Sequence, residues 1–336
     1  AVKKRRLTKI VIGTLIISVT FCEVIISDTN AFSFNQDLTN YNENYDTYVE
    51  SVNYLEENDT SFYRTELCSL NTRMDPCLYG YRGISTFSSM AYEQYSRLQY
   101  SLGMYGNRIN SHTYNTQTPV YNLMYAIKYL IHNNENVKPS TALYTRCYEA
   151  ADDKSVIYSN DYTLPIAYCV NSAVDLWSTA EGNPFQIQSD FFTLATGFSD
   201  VFTEAEYISC NYDGMTGDNV AENGSYWFNK NNADYGSIDI TLKSTRDGNF
   251  YLYLTSPDIR NISCMQNNVS ITTQEIETPY ILDLGYFNEG DEITVSIDGN
   301  SVKDDTGYFE IYAYSLNQNV LNEGYERLLE NVMDIT

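Results

Sequence analysis

The chain has 336 residues, with 44 acidic against 20 basic side chains and a formal net charge of −24. Five of the basic residues, Lys3, Lys4, Arg5, Arg6 and Lys9, lie at the start; residues 28 to 336 carry 15 basic and 43 acidic residues, a net of −28. So acidic a surface repels nucleic acid and anionic lipid headgroups, and a nucleic-acid function is excluded. The 32 tyrosines mark a packed chain and not a disordered acidic tail.

Leu7 to Ile26 is a 20-residue apolar run interrupted only by small or weakly polar residues and Glu23, the length a transmembrane helix requires. No small-x-small cleavage site follows it, so residues 1–27 are expected to be a basic cytoplasmic flank and a membrane span, not a signal peptide. The flank then fixes the orientation, with everything from Ser27 onward outside the membrane, and Glu23 either reaches the outer interface or meets neighbouring helices of a bundle. The chain starts at Ala1 and stops at Thr336 without terminal signals, and is expected to be a piece of a longer polypeptide.

A polar, Asn-rich linker, "SDTNAFSFNQDLTNYNENYDTYVESVNYL", leads into a helix from about Tyr48 to Glu57. "SFYRTELCSL" reads as a strand, and Ala91 to Met104 as a helix that stops at Gly103 and Gly106. "TPVYNLMYAIKYLI" opens with Thr118-Pro119, a helix start, and Leu123, Ala126, Ile127 and Leu130 are spaced for one buried helical face. "TALYTRCYEA" and "KSVIYSND" read as hairpin arms around Ala151-Asp152-Asp153, and "LPIAYCVNS" as a further strand. Asn183 followed by Pro184 caps another helix. Residues 28–205 are therefore expected to form a mixed α/β domain.

The pattern then changes. Ile238, Ile240 and Leu242 alternate with polar residues, as do Phe250, Leu252 and Leu254, then Ile293, Val295 and Ile297, then Phe309, Ile311 and Ala313. Period-two runs separated by Gly- and Asp-rich turns predict an antiparallel β-sandwich, jelly-roll-like, over residues 206–320. Residues 321–336 read as a helical segment through Leu328, Leu329 and Val332. The fold class is α+β with an N-terminal transmembrane helix.

Chemistry is harder to find. "YGYRGISTFSSM", Tyr79 to Met90, has two glycines and a run of hydroxyls, but no lysine for a phosphate loop and no second glycine for a nucleophile elbow. Gly80 and Gly83 fit turn or close-approach positions, and Arg82 fits a salt bridge. The two histidines, His112 and His132, read as surface or capping residues. Paired carboxylates, Glu56/Glu57, Asp152/Asp153 and Asp304/Asp305, read as solvated turns. Asp213, Asp218, Asp298 and Asp304 are a weak calcium possibility without EF-hand spacing; a metal site is otherwise not expected. Six cysteines lie after the span, and proximity favours Cys68–Cys77, Cys147–Cys169 and Cys210–Cys264 as disulfides among 15 possible connectivities. Tyr251 and Tyr253, with Tyr312 and Tyr314, share the sheet face opposite the apolar residues. Such a row can hold a sugar or simply pack across strands.

The ordered series Phe62-Tyr63-Arg64, Asp75, Gly80 to Ser89, Gly103, Thr118-Pro119, Lys128-Tyr129, Pro165 and Asn183-Pro184-Phe185 resembles the YfhO family of bacterial membrane proteins. The match runs over about residues 10 to 320; Met74 departs from it where Asn usually precedes the Asp. That resemblance implies a protein like GT-C glycosyltransferases in a bacterial plasma membrane. These take a sugar from a polyprenyl-phosphate lipid and pass it to an envelope polymer such as teichoic acid. Catalytic carboxylates would lie in membrane loops outside this segment, so no catalytic residue is carried over. Arg82, Ser88 and Ser89 become candidates for a lipid-linked phosphate or a sugar hydroxyl. The alternative is a non-catalytic carbohydrate-binding or scaffold module; a secreted hydrolase is disfavoured by the missing nucleophile.

Overall fold

The computed structural model describes residues 2–33, 44–68, 71–133, 139–220, 224–231, 235–267, 269–330 and 332. The chain divides into a unit up to Tyr45 and a compact unit from Asp46 onward. The first contains one long helix, α1 (Val2–Ser33). From Leu7 to Ser33 it is long and apolar enough to cross a membrane, and its apolar side chains, Leu15, Ile17 and Phe21 among them, are exposed. The start of the expected linker, Ser27 to Ser33, instead continues this helix; residues 34–43 of that linker lie outside the described residues.

In the second unit, α2 (Tyr45–Asn58) turns Tyr48, Val52 and Leu55 inward. They meet a four-stranded sheet made of β1 (Arg64–Leu67), β5 (Ile127–Asn133), β6 (Tyr144–Glu149) and β7 (Ser155–Asn160), in the order β1-β5-β7-β6. β1 runs parallel to β5, and the remaining pairs are antiparallel. Between them the chain forms α3 (Asp75–Tyr79), β2 (Thr86–Phe87), α4 (Glu93–Ser101), β3 (Tyr105–Gly106), β4 (Ser111–Thr113) and α5 (Pro119–Met124). β2, β4 and β3 make a small sheet of their own.

α6 (Pro184–Thr196) starts with a full capping box: the Asn183 side chain accepts from Phe185 and Gln186 N–H, and Gln186 returns a bond to the Asn183 N–H. Thereafter the chain is almost all strand: β8 (Phe202–Glu204), β9 (Glu206–Asp213), β10 (Thr216–Val220), β11 (Ser225–Asn229), β12 (Ser237–Lys243), β13 (Gly248–Thr255), β14 (Asn261–Gln266), β15 (Val269–Glu275), β16 (Leu282–Phe287), β17 (Glu292–Asp298) and β18 (Thr306–Leu316). One sheet has the order β10-β11-β18-β13-β16 with β8 on β18; the other is β15-β14-β17-β12-β9. Phe250, Leu252, Leu254, Phe309 and Ile311 of the first face Ile238, Ile240, Val295 and Ile297 of the second in one core. Each such side chain contributes about 1.5–3 kcal/mol on burial. The chain is thus α+β, with an antiparallel sandwich built on the alternation visible in the sequence. α7 (Gln318–Leu329) closes the fold.

Three expectations are corrected. The helix from Thr118 ends at Met124, and "IKYLIHN" becomes β5, because the backbone turns at Ala126 (φ 52°) and the β-branched and aromatic run pairs with β1 and β7 on both sides. "LPIAYCVNS" forms no strand; its one β-bridge joins Tyr168 to Val332, Leu164 is buried in the core, and a short 3-10 turn, Ser172–Leu176, begins at its end. All seven cysteines are free thiols. Cys210 stands opposite Ile240, Ile240 opposite Val295 and Val295 opposite Cys264. Three strand spacings, roughly 14 Å, therefore separate a pair that a disulfide must bring within ~7 Å. Cys68 is buried while Cys77 is exposed on α3, and the Cys147 thiol donates to the Ile157 carbonyl at 3.4 Å while Cys169 is exposed.

Candidate functional site

The stretch "YGYRGISTFSSM" is fixed from beneath by two buried carboxylates. Asp75 accepts from Asn71 N–H (3.0 Å), Thr72 N–H (2.6 Å) and the Thr72 hydroxyl (2.8 Å), which shapes the turn ahead of α3. Glu66, fully buried on β1, accepts from the Ile84 N–H, from Ser85 N–H at 3.1 Å and from the Ser85 hydroxyl at 2.8 Å. The same Ser85 hydroxyl accepts from Tyr114 N–H at 2.8 Å. Burial pushes the Glu66 carboxyl up to about 7 against those hydrogen bonds. A Cβ at Gly83 would lie 2.7 Å from Pro76 Cγ and Tyr81 Cε2 and 3.0 Å from Glu66 Oε1, so only glycine fits. Gly80 takes the left-handed position that ends α3 (φ 82°).

Arg82 is exposed and lies over the rings of Phe62 (5.4 Å) and Tyr63 (5.9 Å), in place of the expected salt bridge. Ser88 is half-buried and its hydroxyl accepts from Met90 N–H at 3.1 Å; Ser89 is exposed. The histidines are not surface residues. His112 is buried with Nε2 3.1 Å from the Ile84 carbonyl, and His132 is buried with no hydrogen-bond partner on either ring nitrogen. Burial lowers both to about 4.

The tyrosines shared by β13 and β18 do lie on the face opposite the sandwich core, in register pairs Tyr251–Tyr314 and Tyr253–Tyr312. That face is covered at one end. Tyr251 and Tyr314 are buried under α6, with the Phe185 ring 4.8 Å from that of Tyr314. The capping amide of Asn183 donates to the Tyr314 hydroxyl at 3.2 Å. The next pairs along the same face, Tyr253–Tyr312 and Thr255–Glu310, floor a cleft of about 600 Å³. At its edge the face opens to solvent at Tyr308, which lines the cleft, and at Trp227 across the strand, with ring centroids 5.4 Å apart and both exposed. One sheet face therefore grades from packed core through cleft to open aromatic surface.

The cleft walls come from α4, from the turn after β3 and from the segment 179–187 that leads into α6. The Arg108 guanidinium sits 3.9 Å over the Tyr100 ring, on a backbone held at φ 62°. Among the described residues Arg108 has no carboxylate partner, whereas Arg97 pairs with Glu93 at 2.6 Å. The Tyr312 hydroxyl donates to Glu310 at 3.1 Å. Burial raises the Tyr253 hydroxyl well above its ordinary range, with Arg108 pulling the other way. Glu310 is the one carboxylate among the described residues that line the cleft. The result is an aromatic floor, one carboxylate and one cation without a carboxylate partner among the described residues. Trp227, Tyr308, Tyr100 and Arg108 were not singled out from the sequence; the alternation that selected Tyr312 also runs through Tyr308.

A second cavity, about 300 Å³, is lined by Cys68, His132, Tyr280 and Asp283. Burial pushes Asp283 up to about 6 and the Cys68 thiol well above its ordinary value, and His132 makes no hydrogen bond to that thiol, so it holds no activated nucleophile. Among the described residues no cluster of three or more His, Cys, Asp or Glu is placed for a metal. Of the weak calcium set, Asp298 instead caps the turn at Asn300, whose N–H it accepts at 2.8 Å.

The described residues thus combine an apolar helix of membrane-crossing length with an α+β body whose sandwich carries an aromatic cleft. The chain belongs to the YfhO family: residues 1–336 match the family described as bacterial membrane protein YfhO. No curated protein matches it. Among solved structures it is similar to a family 35 carbohydrate binding module from Clostridium thermocellum, at 12% identity over 34% of this chain and 96% of that one, with a TM-score of 0.24. It is also similar to CBM32-3 from a family 31 glycoside hydrolase of Clostridium perfringens (11%, 34% and 91%, TM-score 0.25). A family two carbohydrate esterase from Clostridium thermocellum matches at 9%, over 33% of this chain and 31% of that one, with a TM-score of 0.23.

Proposed function

We propose that this chain is the extracytoplasmic part of a GT-C-like glycosyltransferase and that the cleft over Tyr253 and Tyr312 holds a saccharide of its acceptor or donor. The basic residues in the first turns of α1, Lys3 to Lys9, favour a cytoplasmic N-terminus, which leaves the acidic body outside. The observation that carries the reading is the cleft itself: clustered, partly exposed aromatic rings beside one carboxylate acceptor suit sugar rings, whose C–H faces stack on them and whose hydroxyls donate. Arg108, left without a carboxylate in a strongly acidic chain, suits a phosphate-bearing envelope polymer such as teichoic acid, or the phosphate of a polyprenyl-linked sugar.

The cleft also supports the second reading, a carbohydrate-binding module without chemistry of its own. Glycosidic-bond chemistry commonly employs two carboxyl groups, and Glu310 is the single one among the described lining residues. Both readings place saccharide binding here and leave catalysis elsewhere. Of the residues singled out in the sequence, Tyr253 and Tyr312 belong to this proposed site. Tyr251 and Tyr314 support it from below, and Arg82, Ser88 and Ser89 lie outside its lining.

The test is calorimetric titration of the full chain in nanodiscs with a glycerol-phosphate polymer and with a neutral oligosaccharide. Tyr308→Ala, at a half-exposed position where the fold is not at stake, should weaken both about tenfold, ~1.4 kcal/mol. Arg108→Gln should weaken only the phosphate-bearing ligand. Wild-type protein that binds neither ligand, or variants that bind as wild type does, would sink the assignment.

A further inference from the structure

Two tight turns sit side by side on the small β2–β4–β3 sheet. β2 and β4 pair at Phe87–Ser111, and Ser88 N–H donates to the Asn110 carbonyl at 3.0 Å, which ties the turn at 88–92 to the turn at 107–110. Each is internally locked. Met90 N–H donates to the Ser88 hydroxyl at 3.1 Å, and Ala91 N–H to the Ser88 carbonyl at 2.9 Å. The Asn107 side-chain oxygen accepts from the N–H groups of Ile109, Asn110 and Ser111, each at 3.0 Å. Rigid turns usually carry polar residues at their tips. These instead present Met90 (89% exposed), Tyr92 (84%), Ile109 (60%) and Phe87 (43%).

The charge around them is as unusual as the apolarity. From residue 76 to residue 134 there is one acidic residue, Glu93, against Arg82, Arg97, Arg108 and Lys128, a net of +3 in a chain whose residues 28 to 336 sum to −28. The one carboxylate is neutralised, since Glu93 pairs with Arg97 at 2.6 Å. The segment that displays the apolar tips is therefore the one that an anionic headgroup layer does not repel. A bilayer is at hand, because the chain carries its own membrane-length apolar helix, Leu7–Ser33.

We infer that the turns at 88–92 and 107–110 form a docking surface for the lipid bilayer, with Met90 and Ile109 entering the headgroup–acyl boundary and Tyr92 at the interface. The occupant is lipid and not protein, because four apolar side chains on a carboxylate-poor segment match headgroups and acyl chains together. Arg108 directly precedes Ile109 and lines the cleft, so docking brings that cleft's rim to headgroup level. The inference stands whether or not the cleft binds sugar.

The experiment uses the full chain in phosphatidylcholine–phosphatidylglycerol nanodiscs, with Met90→Trp and Ile109→Trp at the tips and Tyr235→Trp, a residue 86% exposed on the sandwich, as control. Difference spectra against wild type remove Trp177 and Trp227. Entry to a depth of about 5–10 Å shifts the emission of both tip variants to the blue, and lipids brominated high on the acyl chain quench most of it, while Tyr235→Trp does neither. Tip emission that stays at the solvent position and unquenched overturns the inference. A blue shift without bromine quenching also overturns it, because the turns would then be covered by protein.

Discussion

Replacing Glu66 by Gln isolates the energetics of the buried carboxylate under the signature turn. Burial raises this group from its ordinary 4.5 to about 7, and at ~1.4 kcal/mol per pH unit that is about 3 kcal/mol of linkage. Because the folded value lies above the unfolded one, its contribution is fully present below pH 4.5 and is lost as pH rises through 7. Gln keeps an acceptor for the N–H groups of Ile84 and Ser85 but does not titrate. Urea unfolding of wild type and Glu66→Gln at a series of pH values supplies the measurement. The stability difference should move by about 2–3 kcal/mol in favour of the variant between pH 5 and pH 8. Wild type alone would not show this cleanly, because His112 and His132, lowered to about 4, lose stability in the opposite direction as pH falls below 6.5. Their effect cancels in the difference. Two unfolding profiles that stay parallel from pH 5 to pH 8 would refute the reasoning.

Gly83→Ala forces a methyl into a space bounded at 2.7 Å by Pro76 and Tyr81 and should destabilise by about 1–3 kcal/mol; an unchanged denaturation midpoint would count against that packing. Denatured protein never exposed to reductant should titrate with all seven thiols, and in the native state Cys77, Cys147 and Cys169 should be alkylated long before Cys68 and Cys264. A count of one thiol would mean that three disulfides form after all. The sugar titrations with Tyr308→Ala and Arg108→Gln, and the bromine quenching at Met90 and Ile109, complete the set.

Local signals carried much of this fold. Asn183-Pro184 announced α6 because a cap and a proline act through their own backbone, and the alternation at Ile238, Phe250, Ile293 and Phe309 announced the sandwich because period two suits only a pleated strand. Leu7 to Ile26 announced an apolar helix of membrane-crossing length by its composition alone, and the ordered motifs from Phe62 to Phe185 placed the chain in its family. Pairing and coverage were another matter. The "AIKYLIH" run fits a helical face equally well until β1 and β7 bond to both its edges. Cys210 and Cys264 look like partners until two strands are laid between them. Tyr251 and Tyr312 read alike in a sequence that alternates, yet one is core and the other lines a cleft. Which of the two a tyrosine becomes depends on where Phe185 and α6 stop covering the sheet, a long-range contact that no local pattern encodes.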